Sequence, residues 1–291
     1  MLAWIAYLIV AVVWGSTYFA IAIGIESFTP YGMVASRYLL AGALAFGLSR
    51  LAKEQLPTRR DLPHLMLQGA LLLGVSNAVI SWAESRVASG ITAVLCSMTP
   101  LMYGSLSGER LGLRGWAGLL LGLAGVVVLV NPGGGHMDPL GVGAILFATL
   151  VWAWGTLHGR RHVKGHGLLG QVGVQMFTGG VVGLVAAPFT GGFVHHPPTL
   201  RAWLAVLYLM LFGSLIAYSA FGYLVKAWAP SRMGTYAYLN PLVAVLLGSL
   251  FLHEPFGLRV VLGMAVILVA VALVQFRPAS HEEVPEVLQE S

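Results

Sequence analysis

The chain has 291 residues, of which 57% are apolar and only 9% charged, and its mean hydropathy is +0.82. Soluble domains average about 25% charged residues, so the composition excludes a soluble globular domain and makes a bilayer the solvent for most of the chain. The net charge of +5 does not point to nucleic acid, because the basic residues sit between apolar runs.

Apolar runs bounded by charges or Pro/Gly breaks predict ten membrane-spanning helices. The first, Leu2–Gly24, has no basic stretch ahead of it and is long enough to span, unlike a cleaved signal; Trp14 and Tyr18 share one of its faces. The second, Pro30–Arg50, contains Arg37, the one unambiguous charge within a span. Such a charge costs about 2.5–3.5 kcal/mol on insertion scales, so Arg37 is expected to face the interior in a structural role. It would cap carbonyls or pair with an acidic residue, Glu26 and Glu84 being nearest. The third span, Leu65–Ala83, places Asn77 and Ser81 four residues apart on one face, with Trp82 beside them. The fourth, Ala88–Leu106, is short and holds Pro100 together with Cys96, the single cysteine, so no intrachain disulfide forms.

The fifth span is Leu113–Val130, with Gly118 and Gly122 expected in internal packing. The sixth, Pro139–His158, carries Trp152 and Trp154; the seventh is Leu168–Pro188. The eighth, Arg201–Val225, carries Tyr218. The ninth, Met233–Leu252, has Tyr236 and Asn240 on one face next to Tyr238 and Pro241. The tenth is Leu258–Phe276. The remaining 277–291 is rich in Glu and is expected to be a disordered cytoplasmic tail. No period-two alternation supports a membrane β-barrel.

Twelve Lys and Arg residues follow the even-numbered spans and three (Arg86, Arg201, Arg259) follow the odd-numbered ones. That asymmetry places both termini in the cytoplasm. The chain also repeats itself. Ser97-Met98-Thr99-Pro100-Leu101 aligns with Tyr238-Leu239-Asn240-Pro241-Leu242 at an offset of 141, and Glu109, Gly112 and Gly118 align with Glu254, Gly257 and Gly263 at 145. Two five-helix halves follow, 1–135 and 136–276. Five is odd, so the second half enters the membrane inverted, the architecture of alternating-access transporters with a midplane site between the halves.

The residues Trp14-Gly15-Ser16, Arg37, Pro100…Gly108-Glu109-Arg110…Gly118 and the second copy Pro241…His253-Glu254-Pro255…Gly263 resemble the EamA-type family of the drug/metabolite transporter superfamily, over essentially the whole chain to Phe276. The resemblance implies a ten-helix all-α bundle in the bacterial cytoplasmic (inner) membrane. It also implies export of small metabolites, amino acids in many bacterial members. The fourth span departs from the pattern, with nine positions from Pro100 to Glu109 where Pro241 to Glu254 spans thirteen, about one helical turn less.

Polar and aromatic side chains at mid-membrane depth are candidates for a substrate site. Trp14, Tyr18, Asn77, Ser81, Trp82, Trp154, Tyr218, Tyr238 and Asn240 are the residues expected to bind substrate. Arg37, Pro100 and Pro241 are expected to serve structure and gating. A Trp/Tyr/Asn lining without clustered charge suits neutral or zwitterionic solutes with apolar side chains. No Asp or Glu lies near the midplane of a span, which favours uncoupled transport or exchange over proton-coupled efflux. A channel is a weaker alternative. A membrane-embedded hydrolase would need Ser16 or Ser81 near His158, which no spacing supports. His195-His196 and the pair His162/His166 bring no accompanying ligands in sequence, so neither metal nor cofactor is expected. The expected partners are a small-molecule substrate and the lipid bilayer, with no nucleic acid; a monomer is compatible with the fold.

Overall fold

The computed structural model of the protein describes residues 1–84, 86, 87, 89–130, 138–165, 167–252 and 257–276. The tail 277–291, His253, Glu254 and His166 lie outside the described residues. Ten helical spans run α1 (Leu2–Ile25), α2 (Pro30–Leu51), α3 (Leu62–Ala83), α4 (Ser89–Cys96 and Thr99–Leu106), α5 (Leu113–Val130), α6 (Pro139–His162), α7 (Leu168–Ala186), α8 (Leu200–Ala227), α9 (Tyr236–Leu252) and α10 (Leu258–Gln275). Seven are long and apolar enough to cross a bilayer alone, among the described residues. The protein is thus an all-helical polytopic membrane protein.

Local chemistry sets the helix starts. Thr29 and Asp138 cap α2 and α6, accepting from Gly32 N (3.0 Å) and Leu140 N (3.0 Å), and each precedes a proline at the first helical position. Thr199 caps α8 in the same way. The faces sort by solvent. Along α1, Ile5, Leu8, Val12 and Phe19 stay exposed while Tyr7, Val10 and Ala11 are buried. Such apolar stripes are compatible with lipid and not with water.

The packing has a two-fold pattern. α2 packs most extensively on α7, and α5 on α10, each pair being copies of one another in the sequence repeat. α1 packs on α8 and α9, while its counterpart α6 packs on α3 and α4. Each half therefore lends its first helix to the other. Small residues allow the central pairs to approach: a Cβ on Gly180 of α7 would stand 2.6 Å from the Leu39 backbone nitrogen, and one on Gly263 of α10 would stand 2.7 Å from the Leu129 Cα. Gly118 and Gly122 likewise face α10 and the Tyr238 ring, inside the bundle.

Three features depart from ten plain helices. α3 and α8 each contain a wide π-helical stretch, Gly69–Ser76 and Leu209–Ile216, at equivalent places in the two halves. The short fourth span is divided at Ser97–Met98, with Pro100 in the first turn of its second piece. Pro241 instead lies inside a continuous α9. There it has no N–H to donate to the Ala237 carbonyl, and the Ser97 hydroxyl donates to that oxygen at 2.9 Å.

Candidate functional site: a central cavity between the halves

A cavity of about 120 Å³ lies among α1, α2, α3, α4, α6, α8 and α9. Its wall obeys the repeat. Asn77 and Tyr218, Thr99 and Asn240, and Cys96 and Ala237 are pairs at the 141-residue offset, and both members of each pair line it. Trp14 and Trp152 both line it and pack edge to face, ring centroids 5.6 Å apart. The cavity therefore straddles the two-fold relation between the halves.

Carbonyls of the π-helical stretches accept side-chain donors at the wall. Asn77 Nδ2 donates to Leu72 O (3.0 Å) and the Ser214 hydroxyl to Leu209 O (3.0 Å), each five residues back. Trp14 Nε1 donates to Gly213 O at 3.0 Å. Asn240, with its amide nitrogen turned to donate, reaches Ala11 O and Tyr236 O, both at 3.1 Å. Arg37 lines the cavity as well. Its Nε donates to Ser214 Oγ at 2.5 Å and its guanidinium stands 4.7 Å from the Tyr38 ring centroid. Neither Glu26 nor Glu84 pairs with it among the described residues; Arg86 instead pairs with Asp138 at 3.0 Å.

Of the nine residues expected at the site, Trp14, Tyr18, Asn77, Tyr218 and Asn240 line the cavity, and Ser81, Trp82, Trp154 and Tyr238 do not. Helical angle explains the four. Residues two apart on a helix point about 200° apart, so Trp152 faces inward and Trp154 faces outward, 48% exposed and stacked on His158. By the same rule Tyr236 and Asn240 face the cavity and Tyr238 faces α5, where its hydroxyl donates to Leu119 O at 2.6 Å. Ser81 is buried one position past Ile80, the α3 residue that does line the cavity. Trp82 turns out from the bundle under the Arg86 guanidinium, 4.6 Å away. Thr17, Tyr38, Thr99, Thr149 and Ser214 were not among the expected residues; for Thr99 the signal was its alignment with Asn240.

The cavity is closed on the side that carries Met1. Trp14, Trp152, Phe221 and Tyr236 make a box of edge and tilted ring contacts with centroids 5.1–5.8 Å apart. Beyond it, Tyr7 Oη and Thr235 Oγ1 are 2.8 Å apart, and Gln275 Nε2 donates to Thr235 Oγ1 at 2.9 Å. Arg160 of α6 donates to the carbonyls of Val225 and Trp228 at the end of α8, where a helix presents unpaired carbonyls. Glu109 accepts from Ser231 N at 3.2 Å, tying the α4–α5 loop to the start of the one-turn helix Pro230–Gly234.

Among the described residues neither Ser16 nor Ser81 hydrogen-bonds to His158. Ser16 is engaged with Val13 O and Tyr208 Oη. Ser81 stands about 25 Å of helix rise from His64, and His64 is the residue beside His158.

The EamA-like transporter family matches the chain twice, over residues 1–131 and 139–276. The uncharacterized inner membrane transporter YedA of Escherichia coli (strain K12) is 38% identical over 267 residues, covering 90% of this chain and 87% of that protein. Protein PecM of Dickeya dadantii is 30% identical over 272 residues, covering 90% and 89%. A solved crystal structure superposes with a TM-score of 0.77 at 20% identity, over 93% of this chain and 95% of the other; it shows the fold alone. Two matches in one chain establish an internal repeat, and the similarity to YedA places the protein in the inner membrane as a multi-pass transporter of small molecules, not an enzyme. The ten helices, the internal repeat and the cavity between its copies accord with these similarities, and the chain belongs to the EamA-like transporter family.

Proposed function

We propose that the protein exports small amphipathic metabolites, first among them amino acids with aromatic or other apolar side chains, by alternating access and without a coupled proton. The charge of the cavity wall carries this reading. Arg37 stands there with no carboxylate partner among the described residues, in a wall otherwise of rings, amides, hydroxyls, aliphatic groups and the Cys96 thiol. A substrate carboxylate would occupy the guanidinium donors left over from Ser214. The rings of Trp14, Trp152 and Tyr18 would hold an ammonium group by cation–π attraction and cover an apolar side chain. Arg37 then binds substrate as well as steadying the π-helical stretch of α8. The charge asymmetry of the loops reads both termini as cytoplasmic, which makes the closed end cytoplasmic, and the moving units are the two groups that meet at the cavity, α1 with α8 and α9 and α6 with α3 and α4.

A second reading, proton-coupled efflux, is favoured by Glu84. It lies half-buried at the end of α3, seven residues beyond Asn77.

Counterflow of a labelled amino-acid panel in proteoliposomes, with and without a proton gradient, decides between them. Saturable exchange without a gradient is the expected result. Exchange that requires the gradient transfers the mechanism to Glu84, and no exchange of any amino acid rejects the substrate class. Asn77→Ala and Tyr218→Ala are expected to lower transport at least about tenfold, ~1.4 kcal/mol, with insertion intact. Unchanged flux in both variants would count against the cavity as the binding site.

A further inference from the structure

Away from the cavity, the structure gathers three histidines that the sequence scatters. His64 stands in the first turn of α3, and His158 and His162 lie one turn apart at the end of α6. One ring nitrogen from each lies within 4.8 Å of the other two. His64 Nδ1 is 3.0 Å from His158 Nε2. The His158 and His162 rings stack at 4.3 Å between centroids, and His64 stacks on His162 at 4.8 Å.

These spacings are close to those of a metal centre. A tetrahedral ion bound to imidazole nitrogens at about 2.0–2.1 Å sets those nitrogens about 3.3 Å apart. The trio needs a contraction of at most about 1.5 Å, within reach of side-chain torsions and without moving a helix. One imidazole is already oriented for ligation. His162 Nδ1 lies 2.9 Å from the His158 carbonyl oxygen. A carbonyl can only accept, so Nδ1 carries the proton and Nε2 keeps its lone pair, the outer-shell arrangement found around metal-bound histidines. Arg161, adjacent to His162 in sequence, donates to the carbonyls of Leu106 and Ser107. His162 is exposed, and the half-buried His64 and His158 lie behind it, which leaves an entry path from water.

We propose that His64, His158 and His162 form a binding site for a divalent transition-metal ion of the zinc class, with water in the fourth position. All three ligands are imidazole nitrogens, which suit zinc, copper, nickel or cobalt and not the hard oxygen-seeking magnesium or calcium. An ion there would tie the start of α3 to the last turn of α6, the turn that also carries Arg160.

The test is binding of cobalt(II) and zinc(II) to the full-length protein in nanodiscs after removal of any affinity tag. Cobalt is expected to give visible d–d absorption at one equivalent, displaced by zinc. His64→Asn and His162→Asn should each weaken zinc binding at least about tenfold, whereas His195→Asn should leave it unchanged. Thermal unfolding in chelator distinguishes a lost ligand from a lost fold: the variants should melt with the wild type there and gain no stabilisation from zinc. No stoichiometric cobalt or zinc binding by the wild type, or wild-type affinity in His64→Asn, overturns the site.

Discussion

Asp61 illustrates how one polar side chain ties two loops together at the closed end. Its carboxylate accepts from the Thr58 hydroxyl at 2.6 Å and from Lys164 N at 3.1 Å. The Thr58 hydroxyl holds its pKa below the usual carboxylate range, helped by the Lys164 and Thr58 amides and the nearby Lys226 ammonium and opposed by burial. A depressed folded-state value means that the ionised form stabilises the fold. That contribution is complete above the unfolded value of about 3.9 and is lost as pH falls through the lower folded value. Melting of the wild type and of Asp61→Asn, measured in detergent from pH 7 downward, should therefore differ most above about pH 4 and converge below it. A constant difference across the series would show that Asp61 acts through packing instead.

At the scale of the helix, the contacts that hold α2 to α7 are made by backbone against backbone. Gly42 and Gly180 leave no room for a side chain: a Cβ at either would meet a main-chain nitrogen, that of Phe177 or Leu39, at 2.7 and 2.6 Å. Backbone cannot turn aside as a flexible side chain can, so overpacking here falls at or beyond the usual ~1–3 kcal/mol. Gly180→Val should lower the melting temperature and the monodisperse yield. Gly47, with nothing within 4 Å of its built Cβ, provides the comparison, since Gly47→Val should have a much smaller effect. The same scale accounts for the proline of α9. Pro241 alone would leave the Ala237 carbonyl unpaired in a dry interior, and Ser97, from the break in α4, supplies the missing donor.

For the whole molecule, the exchange of first helices between halves has a mechanical consequence. α1 packs with α8 and α9, α6 packs with α3 and α4, and the cavity lies where the two groups meet. Opening the closed end requires them to part, and Arg160 of α6, bonded to the Val225 and Trp228 carbonyls of α8, spans that boundary. Cys96 is the only cysteine and lines the cavity, so its reaction with a methanethiosulfonate reagent reports access. Arg160→Ala should raise the labelling rate from the closed side several-fold, and a transported amino acid should slow labelling of the wild type. Equal rates from the closed side in both proteins would place the barrier elsewhere.

The sequence by itself determined the solvent of this protein, its ten spans, its duplication and its family. These depend on hydropathy, length and repeated motifs, which are written linearly along the chain. It also placed Trp14, Tyr18, Asn77, Tyr218 and Asn240 among the polar and aromatic residues at mid-membrane depth. Depth can be read from position along a span, but the face a residue presents depends on helix rotation. Rotation was set by packing and by the π-helical stretches in α3 and α8, which have no signature in composition. That is why Trp154 and Tyr238 turned away while Trp152 and Tyr236 turned inward. Only the tertiary structure could bring Arg37 to Ser214, 177 residues along the chain, or His64 to His158, 94 residues along, because neither pair shares a helix or a loop and each meets only when separate spans pack.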